Sequence, residues 1–251
     1  MAPSEQARRA YDDLFRDHAS AFSLTDPELV EVFGNFTFDE TLAQSRLDTR
    51  TRLMVQLAAP IASGALGAYR TVLGAAITAG VTPVEAKEIV YQAVPYVGMG
   101  RVLDFVHATN EVLTDRGVTL PLDGQSTTTL ETRAERGRSV QAQVAGTERV
   151  QAMYDDAQDD DAHFQQFLSA NCFGDYVSRN GIDLASRELL TFSMLIALGG
   201  VDPQVRGHIA GNLRVGNTRR QLLDVITVLL PFIGYPRSLN ALAAVNDATR
   251  P

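Results

Sequence analysis

Apolar residues recur along this chain at helical rather than strand spacing. Between Arg50 and Ser63, Leu53, Leu57 and Ile61 fall at i, i+4 and i+8, one stripe of an α-helix. Further on, Leu189, Phe192, Ser193 and Ile196 share a face in the same way. Gly64 and the pair Gly199-Gly200 stand where these two helices should stop. A second pair of helices is predicted from about Gly67 to Ala79 and from Pro203 to Val215, closed by Gly80 and Gly216. Thr82-Pro83-Val84-Glu85 is a start signal, with Thr as N-cap, Pro in the first turn and Glu three residues after the cap. The third pair therefore covers roughly 83–94 and 219–230, with Pro95 and Pro231 interrupting or kinking its end. The last helices start near Met99 and Pro236. Strictly alternating β-branched runs are absent, so the predicted fold class is all-α.

These pairs reflect a tandem repeat. LDTRTRLMVQL at 47–57 aligns with IDLASRELLTF at 182–192, pairing Asp48 with Asp183 and Arg52 with Arg187 at an offset of 135. Residues 77–106 align with 213–242 at an offset of 136, and Gly80/Gly216, Thr82/Thr218, Pro95/Pro231, Gly98/Gly234 and Arg101/Arg237 coincide. Phe38 and Phe173, upstream, keep the spacing of 135. Gly, Pro, Gly and Arg agreeing in one register points to duplication. Residues 117–130, rich in Gly, Pro, Ser and Thr, read as a linker between a unit at 1–116 and a unit at 131–251, with 131–155 a charged helical lead-in to the second.

Composition narrows the function. An apolar fraction of 45% with mean hydropathy near zero describes a soluble globular chain. A net charge of −8 without a basic cluster argues against a nucleic-acid partner. A polar N-terminus and the lack of any uncharged apolar run of 18 residues predict no signal peptide, no membrane span and a cytoplasmic location. Cys172 is the one cysteine, which leaves no intramolecular disulfide, no cysteine-based zinc site and no dithiol redox centre.

The second unit resembles the carboxymuconolactone decarboxylase family, of alkylhydroperoxidase D-like helical fold. The resemblance lies in FGDYVSRNGIDLASRELLTFSMLIALGG (173–200), VRGHIAGNLRVGNT (205–218) and VLLPFIGYPRSLNAL (228–242), with ERGRSVQAQVAGTERV (135–150) as its lead-in. The first unit resembles it more weakly, over about 30–113. The expected architecture is thus two such units related by a pseudo-two-fold axis. The peroxidase branch of this fold places a Glu, a Cys-x-x-Cys pair and then a His eight residues before a Gly. Here Glu188 and His208 match, His208 preceding Gly216 by eight, but Val201 and Gln204 stand where the cysteines belong. Peroxide reduction by a dithiol needs both thiolates, so that branch is excluded.

The remaining branch, as the resemblance implies, works without metal or organic cofactor. His208 suits proton transfer near neutral pH, Glu188 would orient it, and Arg187 would hold a carboxylate or developing oxyanion. Arg187 has an equally weighted structural reading, an ion pair with Asp183 or Asp224. Tyr235, Phe232 and Tyr176 are the candidate substrate-binding residues, with core packing as the alternative for the first two. Arg101 and Arg237 read as structural, Cys172 as a small buried hydrophobe, and His18, His107 and His163 as surface residues. In the first unit His208 and Glu188 are replaced by Val72 (208 − 136) and Leu53 (188 − 135), neither of which transfers protons. That unit is expected to be packing, standing in for the neighbouring subunit of single-unit relatives; the alternative is that Tyr69, Tyr91 and Tyr96 serve a different reaction or close over the second unit's pocket. The expected function is a decarboxylase or related lyase on a small carboxylated lactone or aromatic, polyketide-derived compound. A cyclase, isomerase or lactone-rearranging enzyme of secondary metabolism, or a non-catalytic scaffold, are the alternatives. The second unit lacks the Trp often found near FGDYVSRNG, which leaves the substrate open. A homo-oligomer, dimer or trimer, is the expected assembly.

Overall fold

The computed structural model describes residues 3–15 and 22–250. The first unit runs α1 (Glu5–Phe15), α2 (Phe22–Thr25), α3 (Pro27–Asn35), a π-helical segment (Phe36–Glu40), α4 (Thr41–Gln44), α5 (Thr49–Ser63), α6 (Leu66–Thr78), α7 (Pro83–Val97) and α8 (Met99–Asp115). The second runs α9 (Arg133–Ala145), α10 (Thr147–Asp155), α11 (Ala162–Phe167), a second π-helical segment (Leu168–Val177), α12 (Leu184–Leu198), α13 (Asp202–Arg214) and α14 (Arg219–Ala248). Among the described residues there is no strand. The charged lead-in expected at 131–155 is split in two at Gly146, and no helix lies between Asp115 and Arg133.

The start predicted at Thr82 is capped as the sequence suggests, and the structure adds caps at Asp48, Asp183 and Thr218. Asp48 and Asp183 cap α5 and α12, each accepting a 2.9 Å hydrogen bond from a backbone N–H three residues on (Thr51, Ser186). Thr82 and Thr218 form full capping boxes with Glu85 and Gln221. The ends differ from expectation. Pro95 and Pro231 lie inside helices, and the chain turns three residues later, at Gly98 (φ 83°, ψ 145°) and Gly234 (φ 78°, ψ 165°). A proline in the last turn removes one backbone donor, but the reversal itself needs a positive φ, which glycine takes without steric cost.

The units interlock through equivalent elements. Helix α5 packs along its counterpart α12, and each third-position helix crosses to the other unit, α7 onto α12 and α14 onto α5. One apolar core spans the join, with Leu57, Ile61, Leu190, Phe192 and Met194 fully buried in it. By length and composition α14 could cross a membrane, but Leu222, Val225, Val228 and Leu229 are buried in that core and Gly234 breaks the helix.

Polar groups in the seam are paired unequally. Glu88 of α7, 1% exposed, takes Arg187 at 2.9 Å on one oxygen and Arg179 at 2.9 Å on the other. Arg187, also 1% exposed, spends its remaining donors on Gln92 Oε1 and on the backbone oxygens of Arg179, Asn180 and Ile182. Its ion-pair partner is therefore Glu88 of the other unit, and not Asp183 or Asp224. In the other half of the pseudo-symmetry, Asp224 replaces Glu88, Val228 replaces Gln92 and Gln44 replaces Arg179. There Arg52 is buried without an ion pair among the described residues, and burial holds its guanidinium below its usual pKa. Arg220 takes the carboxylate instead, at 2.9 Å from Asp224, and donates to the Gln44 carbonyl. A carboxylate one methylene shorter is served by an arginine on its own helix.

Replacing Glu88 with Ala leaves two arginines facing each other in the seam. The expected cost is about 3–5 kcal/mol, read as a lowered urea midpoint. Asp224→Ala, whose arginine is half exposed, is expected to cost less. The reverse order would contradict this account of the seam.

Candidate functional site

Two helices of the second unit bring the ionisable pair together. Asp183 fixes the start of α12, so Glu188 falls in its second turn, fully buried (0% exposed). His208 lies in the middle of α13, and its Nδ1 stands 2.8 Å from Glu188 Oε2. Nδ1 is engaged with the carboxylate, and Nε2 is the ring nitrogen outside this contact. The His208 side chain keeps 17% exposure, which gives the buried carboxylate its route to solvent.

The pair is locked from behind. Asn212, one turn after His208, donates to the backbone oxygens of His208 (2.7 Å) and Glu188 (3.0 Å). Asn217 in turn donates to Asn212 Oδ1 at 2.9 Å and to the Ala185 carbonyl at 2.8 Å. Gly211 faces the carboxylate so closely that a Cβ there would lie 2.8 Å from Glu188 Oε2 and 2.8 Å from Val144 Cγ1. Helix spacing (211 − 208 = 3) puts Gly211 on the face of His208, so its lack of a side chain makes room for the pair.

The fourth wall comes from the first unit. Tyr96, near the end of α7, meets the His208 ring edge-on at 5.7 Å between centroids and 75° between planes. Its hydroxyl is buried without a hydrogen-bond partner, and so is Glu188 Oε1. Cys172, Glu188 and Thr191 are the polar neighbours of that hydroxyl. Burial, then the Cys172 and Glu188 charges, push the Tyr96 phenol well above its ordinary value, so at neutral pH it is a donor and not a base. Burial also pushes the Cys172 thiol up to about 12, with Tyr96 and Glu188 as its further neighbours. Cys172 is buried as expected, but it lies beside the site.

The other sequence candidates disperse. Arg187 has its donors committed to the seam. Tyr235 is 60% exposed. Tyr176 is half-buried in the π-helical segment. Phe232 packs edge-on against Phe33 of the first unit at 6.1 Å, because the pseudo-two-fold crossing sends each such helix to the other unit. Its counterpart in the His208 site is Tyr96 (232 − 136). At the equivalent place in the first unit, Leu53 and Val72 are buried and apolar. Arg101 donates to the Ala62 carbonyl at 3.3 Å near the end of α5, the structural role expected of it. His107 and His163 are exposed, and His18 lies outside the described residues. The signal for Tyr96 was the aligned pair Tyr96/Phe232, read together with the domain exchange.

An all-helical tandem protein with one carboxylate–imidazole pair, walled by the other unit, is the class that this fold and site define. The sequence profile of the carboxymuconolactone decarboxylase family matches residues 27–111 and again 162–247, more than half of the chain, and the chain belongs to that family. The 4-carboxymuconolactone decarboxylase of Acinetobacter baylyi is 31% identical over 108 residues, 43% of this chain and 80% of the relative. A crystal structure from Burkholderia xenovorans, assigned as a gamma-carboxymuconolactone decarboxylase subunit, superposes with a TM-score of 0.52 at 19% identity, covering 96% of each chain, and shares the fold.

Two outcomes test this geometry. Gly211→Ala is expected to displace Glu188 or Val144 and cost about 1–3 kcal/mol, measured by thermal or urea unfolding; an unchanged midpoint would contradict the close approach. Cys172, buried and with its thiol at about 12, is expected to react with a thiol probe at pH 8 only as the protein unfolds. Labelling of native protein at the rate of a free cysteine would show the thiol to be open.

Proposed function

We propose that the second unit is a cofactor-independent decarboxylase acting on a small carboxylated unsaturated lactone. The observation that carries this reading is the Glu188–His208 hydrogen bond of 2.8 Å, set under the unpartnered hydroxyl of Tyr96. Cleavage of the bond to the departing carboxylate releases CO2 and leaves an electron pair that the conjugated lactone carbonyl takes up as an enolate. The Tyr96 phenol, a donor at neutral pH, supplies a hydrogen bond to that oxyanion in a water-poor setting. His208 in its protonated form gives the Nε2 proton to the enolate carbon and recovers one from water, while Glu188 balances the ring's charge. Arg187 takes no part, because a cation already shared with Glu88 and three backbone oxygens has no fork left to offer. The same equipment would serve an isomerase or cyclase whose substrate passes through an enolate.

With 4-carboxymuconolactone as substrate, CO2 release is expected from the wild type. His208→Ala and Glu188→Ala are expected to lower kcat by about 10²–10⁴-fold, and Tyr96→Phe by about 10²-fold. Wild-type turnover in both the His208 and the Glu188 variants would overturn the assignment. Failure of the wild type on carboxylated lactones, with both variants folded, would leave the isomerase, cyclase and scaffold readings.

A further inference from the structure

A concave site lies away from His208. A cleft of about 360 Å3 opens where α7, α8, residues 120–125 and Arg179 of the second unit converge. None of Glu188, His208, Tyr96 or Cys172 lines it. Its floor is the seam cluster, in which one carboxylate, Glu88, faces two guanidiniums, Arg187 and Arg179. Lys87 adds a second cation on the wall. Its Nζ sits 5.3 Å from the Tyr91 ring and donates to Asn110 Oδ1 at 2.6 Å, leaving donors of the ammonium unspent. The Arg179 guanidinium lies 5.3 Å over the same ring. Of the charged residues that line the cleft, Lys87 and Arg179 balance Glu88 and Asp123, and Arg187 lies buried behind Glu88. Val84, Leu120, Pro121 and Leu122 make the rest of the wall apolar.

The repeat supplies an internal control on whether these residues are needed to fold a unit. At the equivalent positions of the other half, Lys87 is Leu223, Tyr91 is Thr227 and Arg179 is Gln44. The scaffold is built there without the cations or the aromatic ring. Residues 120–125 are held over the seam by Asn180 N–H donating to the Gln125 carbonyl at 2.9 Å. Nearby, Thr127 Oγ1 donates to the Ser178 carbonyl at 2.9 Å. The cation pair and the ring are thus present at one half of the pseudo-symmetry and replaced at the other.

We infer that this seam cleft binds a planar, single-ring monocarboxylate, whose anion lies between Lys87 and Arg179 and whose ring lies against Leu120, Pro121 and Leu122. Its volume is at the small end of ligand pockets, which run from about 300 to 1,000 Å3, and suits a small ring. A monocarboxylate is met by the Lys87 ammonium, whose donors are not all spent, beside Arg179; the lining holds no further cation for a second charge. Because both units and the segment joining them touch the cleft, its ligand clamps the two halves together. This inference is independent of the decarboxylase reading.

Benzoate is the probe. Titration of the full-length protein by calorimetry and by saturation-transfer NMR is expected to show saturable binding of one benzoate per chain. Benzamide, of the same shape without the charge, is expected to bind at least about tenfold more weakly, as is benzoate to Lys87→Met. Should that variant fail to fold, Leu122→Glu places an anion on the wall and is expected to have the same effect. His208→Gln is expected to bind benzoate as the wild type does. Absence of saturable binding, wild-type affinity in folded Lys87→Met or Leu122→Glu, or loss of binding in His208→Gln would each overturn the assignment to this cleft.

Discussion

The packing of α5 against α12 across a pseudo-two-fold axis fixes the placement of most other elements. The third helix of each unit then lies against both, α7 on α5 and α12, and α14 on α12 and α5. Helix α7 therefore ends beside α12 and α13, and the first half of α14 beside α5 and α4. Exchange of this kind buries polar positions that would be surface in an isolated unit. Glu88 and Gln92 meet Arg187, and Gln56 donates to the Val228 carbonyl at 3.0 Å. Buried charge costs least when it is fully paired. In one half Glu88 achieves this with two arginines; in the other Arg220 reaches the shorter Asp224 while Arg52 stays buried without an ion pair among the described residues.

Much of the fold was legible because it rests on local chemistry. The caps at Asp48, Thr82, Asp183 and Thr218 are side-chain to backbone contacts within four residues, and the repeat doubles every such signal. Helix ends near prolines were less legible. Pro95 and Pro231 disfavour continuation, yet the turn waits for Gly98 and Gly234, since a missing donor weakens a helix but does not reverse the chain. At the candidate site, Glu188 and His208 stood out by their place in a family pattern, and the structure puts them in contact. Arg187 and Phe232 were misleading for a shared reason. Both lie on the second unit's own helices, and only the exchange across the axis shows that Arg187 serves Glu88 and that Phe232 serves the first unit.

The same exchange explains how one half of the duplication supports the other. Four polar groups around the site come from the second unit, Glu188, His208, Cys172 and Thr191, and a fifth, Tyr96, comes from the first. The first unit is thus more than filler. Its own pocket is apolar at Leu53, Val72 and Phe232, while its α7 carries the phenol that faces His208. Leu53 and Val72 of the first unit stand where the second has Glu188 and His208, and the ring beside His208 comes from the first unit's α7.

That division has an energetic basis in the buried polar atoms. Glu188 Oε1 and the Tyr96 hydroxyl lie buried without hydrogen-bond partners, and each such group costs about 1–3 kcal/mol. In a symmetric pair of identical units the cost would be met twice, because the same sequence would supply Glu, His and Tyr to both sites. A tandem chain decouples the two sites. Leu53, Val72 and Phe232 fill one of them with apolar contacts that stabilise the join, and the unsatisfied groups are confined to the other. Of the two, the Tyr96 hydroxyl is a donor open to an acceptor and Glu188 Oε1 an acceptor open to a donor, so the asymmetry of the repeat concentrates complementary unpaired groups beside His208.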